Sequence, residues 1–71
     1  MTAPARQAGT VADFDEQRGT GEVETPAGGR LFFHCTAIAD GTRTIRPGTR
    51  VSYLVVPGHL GHWEAGDLRP A

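Results

Sequence analysis

Apolar and polar residues alternate over short stretches of this chain, and no stretch keeps a sustained helical period. Period-two alternation between glycine or proline clusters is typical of β-strands, whereas an amphipathic helix repeats every 3.6 residues. The pattern therefore predicts an all-β fold of five short strands. These strands cover residues 9–14, 21–25, 30–35, 49–56 and 63–68, and the connection over 36–48 has room for one helical turn at 36–39.

The same alternation predicts the interior of the fold. Phe32 and Phe33 are neighbours on one strand and must face opposite sides, so we expect Phe33 inside and Phe32 in water. Asp13 breaks the parity set by Val11, which predicts a β-bulge near residues 13–14. The predicted inward set is Val11, Val23, Leu31, Phe33, Val51, Tyr53 and Val55, with Ile38 and Ile45 supplied by the connection.

Five strands in 71 residues favour a closed barrel. A chain of this size buries only about 60% of its unfolded surface, and closure removes the exposed strand edges that such a small fold tolerates poorly. Cys35 is the sole cysteine, so no intrachain disulfide can staple the fold. We predict a small five-stranded OB-type barrel over residues 9–71, preceded by a flexible N-terminal arm over residues 1–8.

Charge and composition narrow the classes of function. The net charge is −1 and all seven basic residues are arginine, so the strongly basic footprint of many nucleic-acid-binding proteins is absent. No apolar run or leader predicts a membrane span or secretion, and a cytoplasmic location is expected. The acidic residues Asp13, Asp15, Glu16 and Glu22 have no accompanying nucleophile or phosphate-cradling loop, so neither catalysis nor a cofactor is predicted.

Four sequence blocks, in order and in register, resemble the cold-shock domain family over residues 9–68. The resemblance implies a five-stranded OB barrel that binds single-stranded RNA or DNA through aromatic rings on its first three strands. Four blocks together are a specific signal, whereas a lone G-x-G would be weak. The blocks are GTVADFDEQRGTGEV, LFFHCTAI, DGTRTIRPGTRVSYLVV and EAGDL.

The chain departs from the family pattern at the positions that stack on bases. Each stacked base contributes roughly 1–3 kcal/mol, so losing three rings at roughly 1.5 kcal/mol each would weaken binding about a thousandfold. The sequence therefore predicts weak binding with low sequence preference. Residues that replace the family's aromatics are Asp13 before Phe14, Thr20 and Glu22 in the second block, Cys35 after the histidine, and Thr42 in the long loop.

The resemblance also implies which residues of this chain bind nucleic acid. Rings would stack on bases and arginines would contact the backbone, although each residue also has a plainer interpretation as ordinary surface. The candidates are Phe14, Arg18, Arg30, Phe32, His34 and Arg43. Trp63 is interpreted as a lid over one barrel end, and the alternatives are a relocated stacking platform with His59 and His62 or a protein contact.

A second hypothesis is a barrel that kept the fold and lost the ligand. Leu54 and Val56 should face outward and, with Leu60, could contact a protein partner or form a homodimer. No metal site is predicted, because a structural zinc site needs four converging ligands while His34 and Cys35 point apart on one strand.

Overall fold

Five strands form a closed barrel in the computed structural model, which describes residues 5–58 and 61–71. The predicted all-β, five-stranded OB-type barrel is confirmed. Going around the barrel, the strand order is β1-β2-β3-β5-β4. The strands are β1 (Gln7–Asp15), β2 (Thr20–Glu24), β3 (Arg30–His34), β4 (Arg50–Pro57) and β5 (Trp63–Pro70), with a 3-10 helix at Cys35–Ala37.

Antiparallel pairing builds most of the barrel. Strands β1, β2 and β3 form a meander, while β4 pairs with both β1 and β5. The barrel closes through a parallel pairing of β3 with β5, in which Phe32 lies opposite Glu64. Gly19 ends the β1–β2 turn at φ 69°, a left-handed conformation that glycine adopts without steric cost.

The interior follows the predicted alternation with one exception. Among the predicted inward residues, Leu31 and Ile45 are half-buried against the core. The prediction is wrong for Val55, which is 39% exposed because it lies beyond the last pairing of β4 with β1, Gln7 with Tyr53. The buried core consists of Val11, Val23, Phe33, Ile38, Val51, Tyr53, Ala65 and Leu68.

A bulge in β1 resets the parity of the strand. Val11 pairs with Val23, and Asp13 pairs with the next residue, Glu22, which leaves Ala12 as the extra residue. This position is one residue before the bulge that the sequence predicts near residues 13–14. Its effect is that Asp13 is exposed while Phe14 is half-buried and packs against the core.

Arg6 ties the beginning of the described chain to β4 and β5. Its Nη1 donates to Asp67 Oδ2 at 2.8 Å, and its Nε donates to Ser52 Oγ at 3.1 Å. The hydrogen bond from Arg6 holds the pKa of Asp67 below its usual range. Strand β1 begins at Gln7, inside the range predicted as an arm, and residues 1–4 of that range lie outside the described residues.

No helix within the described residues is long and apolar enough to cross a membrane.

Candidate nucleic-acid interface

Strand β3 presents one phenylalanine to the interior and the next to water. Phe33 is fully buried and Phe32 is 39% exposed, which confirms the predicted division between the two rings. His34 lies two residues beyond Phe32 on the same outer face. The two rings meet edge to face, with their centroids 4.9 Å apart and an interplanar angle of 88°. Phe32 and His34 therefore form one small aromatic surface.

Phe32 lies in a row of outward residues that crosses four strands. Asp13 pairs with Glu22, Glu22 with Phe32, and Phe32 with Glu64. Neighbouring strands lie about 4.8 Å apart, so acidic residues occupy the paired positions on both sides of Phe32, although the Glu64 carboxylate itself lies against Gly58. Glu64 was not singled out in the sequence, because no sequence pattern reveals that β5 pairs with β3. Alternation along β5 could at most have placed it on the outer face.

A shallow groove of about 220 Å³ runs beside the Phe32 ring on the β1–β2 side. Its charged side chains are three carboxylates and one guanidinium, so the groove carries excess negative charge. The excess negative charge of the groove repels phosphate. Its lining residues are Asp13, Asp15, Arg18, Thr20, Gly21, Glu22 and Phe32.

Arg30 points at two of these carboxylates. Its Nη1 lies 3.5 Å from Glu22 Oε1 and 3.7 Å from Asp13 Oδ2. All three side chains are about half exposed, and exposed ion pairs contribute only about 0–1 kcal/mol, so a phosphate can compete for the guanidinium. Arg30 is among the backbone contacts predicted from the sequence, but its carboxylate partners depend on strand register and cannot be predicted from sequence alone.

The other predicted site residues divide between the groove and the rest of the surface. Arg18 lines the groove with its side chain 83% exposed, and its Nε lies 4.0 Å from Asp15 Oδ2. Phe14 belongs mainly to the core, since its ring stacks on Phe33 with centroids 5.8 Å apart. Arg43 lies in the connection before β4, exposed and at φ 61°, and does not line the groove.

The predicted protein-contact patch is only partly exposed. Leu54 and Val56 are both half-buried, and Val56 packs over Gly66, where an added Cβ would lie 3.1 Å from a Val56 methyl. Leu60 lies outside the described residues, as does His59. Trp63 is 61% exposed, which is contrary to its interpretation as a lid over the barrel interior.

The matching family model and the similar proteins all point to the same family. Residues 7–69 match the model of the "'Cold-shock' DNA-binding domain". The chain is similar to cold shock protein CspB of Bacillus caldolyticus, with 38% identity over 64 residues that cover 89% of this chain and 97% of the relative. It is also similar to cold shock protein CapA of Pseudomonas fragi, with 41% identity over 59 residues that cover 79% and 91%.

A third relative is cold shock protein CapB of Pseudomonas syringae pv. tomato, which is 37% identical over 57 residues. That match covers 79% of this chain and 83% of the relative.

Proposed function

The chain belongs to the family of cold-shock domains, and on that premise we propose that it binds single-stranded RNA or DNA through the outer face of β1–β3. The observation that supports this most is the orientation of Phe32. A phenylalanine ring held 39% exposed on a barrel strand is an open stacking surface, and every base offers a π-face to it.

Each remaining site residue has a separate role in this proposal. The base that stacks on Phe32 also contacts His34, whose ring meets Phe32 at 4.9 Å. Arg18 borders the groove and contacts a backbone phosphate. Arg30 contacts a phosphate through its guanidinium while it remains beside its carboxylate partners, and Arg43 contacts the backbone from the connection. Phe14 contributes only indirectly, because its ring packs on Phe33 beneath the strands that carry the site.

Binding should be weak and of low overall sequence preference. The face offers Phe32 and His34 where the family pattern has several more rings, and each missing platform costs roughly 1–3 kcal/mol. Three carboxylates in the groove add repulsion toward phosphate. Stacking on few rings distinguishes poorly between bases, because every base has a π-face.

A titration tests the proposal directly. Labelled oligo(dT) and unstructured RNA are titrated with protein at about 20 and about 200 mM salt, and fluorescence anisotropy reports binding. Since three arginines are proposed to contact phosphates, the salt slope is about −2.1 and the tenfold rise in salt weakens binding about 125-fold. Phe32→Ala should weaken binding by about 5- to 150-fold. Val55→Ala is the matched control, since Val55 is also 39% exposed but lies on β4.

The second candidate function is protein interaction through the barrel surface. The observation behind it is the carboxylates of Asp13 and Glu22 on the face where the family carries rings, together with half-exposed Leu54 and Val56 on β4. Absence of chemical-shift changes with millimolar oligonucleotide would refute nucleic-acid binding. Light scattering that shows concentration-dependent mass, abolished by Leu54→Lys, would instead support a homodimer.

A further inference from the structure

We propose that Glu22 selects the base that stacks on Phe32 and favours guanine over uracil or thymine at that one position. This inference rests on the proposed function and adds a base preference to it. Asp13 and Asp15 also line the groove, but neither is paired with Phe32, so the remaining positions along the strand are still bound with little preference.

The position of Glu22 carries the inference. Glu22 is the direct cross-strand neighbour of Phe32, and both side chains line the same groove. Strand neighbours lie about 5 Å apart, which is less than the width of a base. A base that stacks on the Phe32 ring therefore extends its edge over the Glu22 carboxylate.

The hydrogen-bonding chemistry of the Glu22 carboxylate determines which base edge binds best. An ionised carboxylate only accepts hydrogen bonds. Guanine presents N1–H and the N2 amino group side by side on its Watson–Crick edge, so it can donate to both oxygens at once. Uracil and thymine present a single N3–H between two carbonyl oxygens, and those oxygens face a negative group without a donor. Single-stranded nucleic acids are read on these edges while their bases stack on aromatic side chains.

Arg30 acts as a positioning residue for this contact. Its Nη1 lies 3.5 Å from Glu22 Oε1 and 3.7 Å from Asp13 Oδ2, so it draws both carboxylates together beside the ring. The guanidinium also offsets one of the two negative charges. The carboxylate can then accept from a base with less repulsion of the phosphates that flank that base.

Oligonucleotides that differ at one base test the inference. The probes are labelled heptamers of dT, unmodified or with one central dG or inosine, and anisotropy is measured at low salt. A bidentate base contact discriminates by about 1–3 kcal/mol, so the dG heptamer should bind about tenfold tighter than all-dT. Inosine keeps N1–H and lacks the amino group, so its heptamer should bind with intermediate affinity.

Two charge-matched variants identify the residue responsible. Glu22→Gln should abolish the preference for dG, because an amide can both accept from N3–H and donate to O4 of thymine. Glu24→Gln removes the same charge from the same strand but lies outside the groove, so it should keep the wild-type ratio. The ratio of affinities is the readout, since loss of a charge strengthens binding of both heptamers alike.

Equal binding of the dG and dT heptamers by the wild type would overturn the inference and leave the proposed function standing. A dG preference that survives in Glu22→Gln would also overturn it. If no heptamer binds at all, both the inference and the proposed function fail.

Discussion

Replacing Glu22 by phenylalanine should strengthen the nucleic-acid binding that we propose for this face. Glu22 lies between Asp13 and Phe32 in the row of outward residues that crosses the barrel. A ring at position 22 would lie beside the Phe32 ring and make a continuous stacking surface across β2 and β3. Phenylalanine is also well suited to a strand, so the barrel should be retained.

The magnitude has two parts that follow from the structure. One additional stacked base contributes about 1–3 kcal/mol. The substitution also removes one carboxylate from the trio of Asp13, Glu22 and Arg30, whose net charge rises from −1 to 0. A unit charge about 7 Å from a phosphate in water contributes about 0.6 kcal/mol. The sum is about 1.6–3.6 kcal/mol, which corresponds to about 15- to 400-fold tighter binding.

The assay is oligo(dT) binding measured by anisotropy for the wild type, Glu22→Phe and Glu22→Leu. The leucine variant removes the charge without supplying a ring, and it should bind only about threefold tighter than the wild type. The difference between the two variants therefore isolates stacking. If Glu22→Phe binds no tighter than Glu22→Leu, the outer face of β2 does not contact bases and the reasoning fails.

Two further predictions concern the fold. Gly21→Ala should destabilise the barrel by about 1–3 kcal/mol in thermal unfolding, because its Cβ would lie 2.8 Å from Phe33 Cζ and too close to the Asp13 carbonyl. Asp67→Asn should be less stable than the wild type at neutral pH and should approach it in acid. The folded pKa of Asp67 is depressed, so its contribution is present above the unfolded pKa of about 3.9 and is lost as the pH falls through the folded value.

Each of these predictions has a control in the same chain. Gly29→Ala places its Cβ 3.4 Å from Thr25 Oγ1, an ordinary contact, and should leave the unfolding temperature nearly unchanged. An equal decrease in unfolding temperature for Gly21→Ala and Gly29→Ala would contradict the packing argument. For Asp67, urea unfolding is compared at pH values of about 7 and about 3. A stability difference between Asp67→Asn and the wild type that is the same at both pH values would contradict the linkage.

The alternation of apolar and polar residues was sufficient to predict the five strands and most of the buried core. Alternation placed Phe33 inside and Phe32 outside, and turn residues marked the ends of all five strands to within a few residues. It failed at Val55, where parity is right for an inward residue but the neighbouring strand has ended. Alternation predicts which face of a strand a side chain lies on. Burial also requires a neighbouring strand on each side.

The ion pairs and cross-strand neighbours around Phe32 could not be predicted, because they join residues that are distant in sequence and meet only in the folded barrel. Arg30 is eight residues from Glu22 and further from Asp13, and the strand register determines that they meet. Glu64 joins the row through the parallel pairing of β3 with β5. The sequence already predicted Asp13 and Glu22 on this face in place of rings, whereas their contacts with Arg30 and the pairing of Glu64 with Phe32 required the structure.

The parallel pairing of β3 with β5 couples closure of the barrel to binding of a ligand on its outer face. The strand that carries the exposed ring is also the strand at which the cylinder is joined, through the pair Phe32 and Glu64. If the join opens, the meander of β1, β2 and β3 is left as a curved sheet whose last edge bears the ring. A ligand that binds Phe32 only in the closed barrel would stabilise closure by mass action, so occupancy of the face and closure of the cylinder would reinforce one another.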